Sequence, residues 1–252
     1  MISSTKIYDY NIINNQIKKI INFLDSIGFT NNCEIKCNIY DDTYSWSLKY
    51  IGDFNHDNID ILLTDSNLRY CSINNIIYIN KMMIDKIGDE IIYYNALSFR
   101  QPDDYIKYKI YDILISNVIN KKLYFIGGEM VFYNKLLKPL EYIMITDYQS
   151  IYDDALYNFQ HNEDNIFLIN YLSDKLINTT NDFTVIANTS KNGLQSNLCH
   201  QLLSLKFQQI IIISCNKKSF DKDFIILSSI YKLSSSYVLS TNYSVTIYFL
   251  SC

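Results

Sequence analysis

The sequence predicts an α/β fold, in which a mostly parallel sheet with helices on both faces is preceded by a small α+β region. From about residue 103, apolar strand-like runs alternate with segments of helical periodicity, as in parallel β–α units. Before residue 98, short strand-like segments follow one another with Asn- and Asp-rich turns between them. We therefore expect two domains, residues 1–98 and 99–252.

The N-terminal region is expected to begin with a helix. Residues 8–27 carry apolar side chains at helical spacing, and Gly28 follows as a stop. These apolar side chains are Ile13, Ile17, Ile20, Ile21 and Leu24. Strands are predicted after it at 34–40, 44–52 and 58–64, and as a pair around 71–80.

The second domain is expected to alternate strands and helices. The predicted helices are 103–119, 149–160, 194–205 and 220–231. The predicted strands are 122–127, 142–146, 165–170, 183–188, 208–214, 235–240 and 244–251. The last two strands follow each other directly, which indicates a closing antiparallel hairpin.

Polar and glycine residues collect where the predicted parallel strands end. Asp147, Asn188, Cys215 and the Gly-Gly-Glu-Met turn at 127–130 all fall at carboxyl ends of strands. Ligands bind at this edge in open α/β sheets. Cys215 itself has two interpretations: a small buried core residue, since free cysteines are among the most buried residues, or a nucleophile at the mouth of the sheet.

Composition narrows the class of protein. The 252 residues have a formal net charge of −4, which does not favour a general nucleic-acid coat or a membrane-surface protein, although a local basic patch could contact RNA. Among the six cysteines, Cys33 and Cys37 lack a second ligand pair at zinc spacing, so we expect no metal. The cysteines fit reduced thiols in an intracellular, cytoplasmic protein. We also expect no signal peptide and no transmembrane helix.

Several motifs occur in one order along the chain. Phe-Arg-Gln-Pro stands at 99–102, the glycine pair at 127–128 follows the first strand of the second domain, and Asp147 ends the next strand. Asn-Thr-Ser-Lys-Asn-Gly-Leu stands at 188–194, and Ser-Cys-Asn at 214–216. In these motifs the chain resembles the RNA uracil-5-methyltransferases, especially the bacterial tRNA (uracil-5-)-methyltransferase type, over roughly residues 60–252.

The resemblance implies a class I S-adenosylmethionine-dependent, Rossmann-like methyltransferase domain acting on RNA, with tRNA-like molecules as partners. It makes Cys215 the nucleophile that adds to C6 of uracil, after which C5 takes the methyl group of S-adenosylmethionine and a general base removes the C5 proton. Lys217 and Lys218 would favour the thiolate. It assigns cofactor contacts to Gln101, Gly127, Gly128, Asp147 and Asn188.

The chain departs from the family's pattern where chemistry requires particular groups. Val245 stands at the position of the general-base glutamate, and Tyr124 at that of the acidic residue of the first strand. Met130 replaces the second glycine of the cofactor turn, and Asn188 replaces an aspartate. Glu129 could substitute for a missing acid, although a solvent-facing loop carboxylate is the more ordinary interpretation.

Three hypotheses follow. The leading one is a divergent family member with lost or weakened catalysis, a pseudoenzyme that retains RNA binding or serves as a structural partner. The second is an active S-adenosylmethionine-dependent RNA uracil-5-methyltransferase with relocated residues. The third is an interaction protein that uses a methyltransferase scaffold without nucleotide or RNA.

Overall fold

The computed structural model describes residues 2–3, 18, 22, 33–40, 43–50, 68–73, 76–87, 89–101, 103–160, 163–172, 174–177, 179–241 and 243–252. The chain divides into two compact units, residues 1–97 and 98–252. Within the described residues, no helix is long and apolar enough to cross a membrane.

The first unit contains a five-stranded sheet and a separate hairpin. The sheet has the order β1-β2-β3-β4-β5. Its strands are β1 (Ile2–Ser3), β2 (Cys33–Tyr40), β3 (Thr43–Tyr50), β4 (Leu68–Ile73) and β5 (Ile76–Asn80). The hairpin pairs β6 (Met83–Ile87) with β7 (Glu90–Tyr94) in antiparallel fashion.

These elements confirm the strands predicted at 34–40, 44–52 and 71–80, whereas β6 was not expected from the sequence. The predicted strand at 58–64 lies outside the described residues. So does the predicted helix at 8–27, apart from Lys18 and Asn22, which are helical.

The second unit is built around a seven-stranded sheet with the order β10-β9-β8-β11-β12-β14-β13. Its strands are β8 (Lys122–Gly127), β9 (Glu141–Thr146), β10 (Ile166–Leu168), β11 (Thr184–Asn188), β12 (Gln209–Ser214), β13 (Lys232–Ser240) and β14 (Ser244–Ser251). The first five are parallel, and β14 runs antiparallel to both β12 and β13. The expected closing hairpin is therefore confirmed.

Helices flank this sheet. They are α1 (Asp104–Asn117), α2 (Met130–Leu137), α3 (Gln149–Asn158), α4 (Ser196–Leu205) and α5 (Lys217–Leu227). The mostly parallel sheet flanked by helices confirms the class I methyltransferase fold. The central strands β8, β11 and β12 are buried almost throughout, which is why they read as continuous apolar runs.

Helix α2 is an element that the sequence did not predict. Helix α1, for comparison, begins with an ordinary capping residue: Asp103 accepts a hydrogen bond from Ile106 N at 3.2 Å. Residue Glu129, at the corresponding position before α2, makes no side-chain capping bond. The short segment therefore carries little local information that distinguishes a helix from a turn.

Candidate functional site

The candidate site lies at the carboxyl edge of the second unit's parallel strands. The strand order reverses between β8 and β11, and this reversal is where open α/β sheets bind ligands. Gly128 N donates to Asn188 O at 3.2 Å across the reversal, and Thr189 N donates to Ile213 O at 3.0 Å between β11 and β12. The predicted residues Gly128, Asn188 and Cys215 thus sit on neighbouring strand ends.

The glycine pair at the end of β8 allows other segments of the chain to pack closely against this turn. Gly127 has a φ of +86°, and a Cβ at this position would collide with the carbonyl oxygen of Asn188. A Cβ on Gly128 would meet the ring of Phe99 at 2.7 Å. The glycines are therefore required by contacts with Asn188 and Phe99 within the protein.

Glu129 is buried, which corrects the expectation of a solvent-facing loop carboxylate. Its side chain is 3% exposed and accepts hydrogen bonds from Gln101 N at 2.7 Å, from Tyr133 Oη at 3.3 Å and from Asn188 Nδ2 at 3.5 Å. Three separate segments therefore bond one carboxylate: Tyr133 in α2, Gln101 before α1 and Asn188 at the end of β11. No local pattern indicates this burial, because Glu129 follows two glycines in an apparent loop.

Opposing effects act on the ionisation of Glu129. Burial raises the pKa of its carboxyl group, since the charged form loses hydration. The hydrogen bond from Gln101 N, the positive charges of Lys107 and Arg100, and the Tyr133 hydroxyl act to lower this pKa. The net shift is upward.

Two of the departures from the family's pattern, in β8 and in the turn after it, are buried side chains. Met130 is 1% exposed at the start of α2. Tyr124 is fully buried in β8, and its hydroxyl donates to Ile177 O at 3.4 Å. Large buried side chains without a carboxylate thus occupy the positions where the resemblance would place a glycine and an acid.

Asp147 follows β9 and is exposed at the same edge. Partial loss of hydration raises the pKa of its carboxyl group. Tyr171, which the sequence did not single out, approaches this point: its hydroxyl donates to Ile145 O at 3.1 Å. Burial raises the pKa of Tyr171, and the charge of Asp147 adds to this effect. Asp147 and Tyr171 therefore form a polar corner at the end of β9.

Cys215 is exposed and follows β12 in a well-defined turn, so the interpretation as a buried core residue is wrong. Asn216 N donates to Ser214 Oγ at 3.2 Å, and Asn216 Oδ1 accepts from Lys218 N at 3.1 Å as the cap of α5. Asn216 Nδ2 also donates to Lys191 O at 2.8 Å. These bonds fix the thiol-bearing residue against the loop that follows β11.

Lys217, one of the two lysines expected to favour the Cys215 thiolate, is paired with a carboxylate. Lys217 Nζ lies 2.8 and 2.7 Å from the two carboxylate oxygens of Asp221, one turn along α5. Its charge is therefore shared with an exposed carboxylate.

The Gly-Leu element at 193–194 is held by α5. Leu194 N donates to Asp223 Oδ2 at 2.7 Å, and burial raises the pKa of Asp223. Gly193 has a φ of +81°, and a Cβ there would collide with the Asp223 carboxylate. The approach of Asp223 to Leu194 N therefore requires a residue without a side chain at position 193.

Val245 lies near the start of β14, one residue before the end of its pairing with β12. Thr246 pairs with Ser214, the last residue of β12, and Val245 itself pairs with Leu239 of β13. Val245 is 2% exposed. The position that the resemblance gives to the general base therefore holds a buried apolar side chain.

Among the described residues, no group of three or more His, Cys, Asp or Glu side chains could hold a metal ion.

Comparisons with known proteins agree with this geometry at the level of the fold. No protein-family model and no curated protein matches the chain. The tRNA (uracil-54, C5)-methyltransferase of Pyrococcus abyssi, solved with S-adenosyl-L-homocysteine, superposes with a TM-score of 0.70 at 14% identity. The match covers 93% of this chain and 66% of that protein, so the chain spans slightly less than two thirds of its length.

Two other solved structures overlap less of the chain. The N-methyltransferase NodS of Bradyrhizobium japonicum matches 59% of this chain and 86% of its own, at 7% identity and a TM-score of 0.45. The M1A22 tRNA methyltransferase TrmK of Bacillus subtilis matches 56% of this chain and 64% of its own, at 12% identity and a TM-score of 0.42. Similarities of this extent do not bear on function.

The residues at this edge fit S-adenosylmethionine only in part. The exposed carboxylate of Asp147 suits the hydroxyl groups of a ribose. Gln101 N and Asn188 Nδ2, by contrast, are already hydrogen-bonded to Glu129. This edge thus offers a partner suited to a nucleoside, whereas the donors suited to an amino-acid carboxylate are engaged by Glu129.

Proposed function

We propose that this chain is a divergent member of the RNA uracil-5-methyltransferases that binds RNA and has lost or weakened catalytic turnover. The observation that carries the proposal is that Val245, at the position that the resemblance gives to the general base, is a buried apolar side chain, while the proposed nucleophile Cys215 is exposed. A thiol that adds to C6 of uracil needs a partner to remove the C5 proton before the C6–S bond can break, and a valine cannot accept a proton.

S-adenosylmethionine is the proposed cofactor, and it would supply an electrophilic methyl group. The fold and the position of the strand reversal support this assignment. The proposed contacts are Gln101, Gly127, Gly128, Asp147 and Asn188.

RNA, of a tRNA-like kind, is the proposed partner. The match to the P. abyssi tRNA methyltransferase covers 93% of the chain and so extends beyond residues 98–252 into the first unit. The proposal accordingly keeps a division into a small N-terminal domain, 1–98, and a methyltransferase domain, 99–252. A target base would have to leave its stack to reach Cys215.

Binding measurements test this function. We expect the purified protein to bind transcribed tRNA in a fluorescence anisotropy titration and S-adenosylmethionine in a calorimetric titration. Failure to bind either molecule would contradict the proposal and favour an interaction protein on a methyltransferase scaffold.

An active uracil-5-methyltransferase is the second candidate, and the exposed, well-fixed Cys215 favours it. In that case 5-fluorouracil-containing tRNA and S-adenosylmethionine should yield a covalent protein–RNA adduct, because fluorine at C5 cannot leave as a proton does. Absence of the adduct, or full methylation activity in Cys215→Ala, would exclude this mechanism.

A further inference from the structure

The carboxylate of Glu129 lies among groups that recognise carboxylates in general. A backbone N–H from Gln101, a hydroxyl from Tyr133 and an amide from Asn188 all donate to it, at 2.7, 3.3 and 3.5 Å. Lys107 and Arg100 lie close enough for their charges to act on it. Converging N–H and O–H donors backed by cations form a typical anion site.

Two of these donors belong to residues proposed to contact the cofactor. Gln101 and Asn188 are both engaged by Glu129. S-adenosylmethionine has one anionic group, the carboxylate of its amino-acid end, and this is the group that such donors suit. Glu129 and the ligand's carboxylate would therefore compete for the same partners.

We propose that Glu129 is an intramolecular occupant of a carboxylate-binding pocket formed by Gln101, Tyr133 and Asn188, and that it excludes the amino-acid end of the cofactor. The identity of the excluded ligand rests on the proposed function, whereas the pocket itself does not. The polar corner at Asp147 stays accessible, so the protein binds the nucleoside end of the ligand. The amino-acid end adds no binding free energy.

The backbone at Glu129 allows the pocket to be emptied cleanly. The residue has φ 56° and ψ 16°, a left-handed conformation that is uncommon for glutamate and natural for glycine or asparagine. Glu129→Gly removes the side chain without opposing this backbone. Glu129→Gln fills the same space without the charge and is the matched control.

The first test compares two nucleosides by calorimetry. S-adenosylhomocysteine carries the amino-acid group, and 5′-methylthioadenosine lacks it. The wild type and Glu129→Gln should bind the two within about threefold of each other. Glu129→Gly should bind S-adenosylhomocysteine about tenfold more tightly than 5′-methylthioadenosine, because the freed donors then hold its carboxylate. Where the nucleosides bind, a tenfold preference already present in the wild type, or no gain in Glu129→Gly, would overturn the inference.

The second test uses acetate and needs no cofactor. Acetate should raise the melting temperature of Glu129→Gly above its value in chloride at equal ionic strength, because a ligand that binds only the folded state stabilises it. The wild type and Glu129→Gln should show no such difference. If Glu129→Gly does not fold, Glu129→Asn takes its place.

The two tests distinguish a failure of the cofactor proposal from a failure of the pocket proposal. If no variant binds either nucleoside, the cofactor proposal fails, and the acetate result alone decides the pocket. Stabilisation of the emptied variant by acetate then supports a carboxylate pocket filled by Glu129. An equal response of all variants to acetate contradicts it.

Discussion

Individual side chains determine what chemistry this edge of the sheet can perform. Cys215 presents an exposed thiol from a turn fixed by Ser214 and Asn216. Val245, at the position that the resemblance gives to the general base, is buried and cannot take a proton, while Glu129 is buried among donors on the other side of β11. The proposed nucleophile is therefore exposed, while the position that the resemblance gives to its general base holds a side chain that cannot accept a proton.

Thiol reactivity should follow burial. Burial raises the pKa of the Cys71 and Cys199 thiols to about 12, whereas Cys215 is exposed. With iodoacetamide at pH 8, we expect Cys215 to be alkylated at least about 100-fold faster than Cys71 or Cys199, because the thiolate is the reactive form. Peptide mass spectrometry over a time course measures the rates. Protection of Cys215 equal to that of Cys199 would contradict its placement.

Gly193 should be intolerant of a side chain. Gly193→Ala introduces a Cβ against the Asp223 carboxylate at a φ of +81° and should lower the free energy of unfolding by about 1–3 kcal/mol. Urea denaturation measures the change. Asn192→Ala, at the exposed neighbouring position, is the control and should change stability by less than about 0.5 kcal/mol. Equal effects of the two substitutions would argue against the contact with Asp223.

At the scale of elements, α5 organises two of the loops at the site. Its first turn begins at the Asn216 cap next to Cys215, and its Asp223 holds Leu194 N in the loop after β11. Asn216 Nδ2 joins this loop through Lys191 O. The helix therefore positions both the Cys215 thiol and the loop after β11.

Asp223 should make stability fall as pH rises from about 4. Burial raises its pKa in the folded state above the unfolded value of about 3.9, so the folded protein holds this proton more tightly between the two values. Stability is then lost as the pH rises through that interval. Asp223→Asn cannot titrate, so its unfolding free energy should depend less steeply on pH there. Urea titrations at several pH values test this, and identical slopes in both proteins would refute it.

Elements with strong local signals could be predicted, and those defined by tertiary contacts could not. The apolar runs of β8, β11 and β12 identified buried parallel strands, and Asp103 marked the start of α1. Helix α2 lacks a capping side chain and was missed. The burial of Glu129 depends on Gln101 and Asn188, which are 28 and 59 residues away in sequence, so no local pattern reveals it.

At the scale of the whole molecule, the fold and the chemistry of the site diverge. The seven-stranded sheet keeps the methyltransferase order, and the match to a tRNA methyltransferase extends over 93% of the chain. This edge of the sheet nevertheless carries a buried valine at the expected general-base position and a glutamate among the donors. Under the proposed function, this scaffold still binds RNA and nucleoside while its turnover is lost or weakened, since fold alone does not fix function.

The most direct test of this account is the number of methyl groups that each protein molecule transfers to uracil. The protein would be incubated with S-adenosylmethionine and an excess of transcribed tRNA, and released 5-methyluridine would be counted by nucleoside mass spectrometry. We predict no more than one methyl group per protein molecule, with any methylated RNA still attached to Cys215. Release of many 5-methyluridine residues per protein, lost in Cys215→Ala, would contradict the account and establish an active methyltransferase.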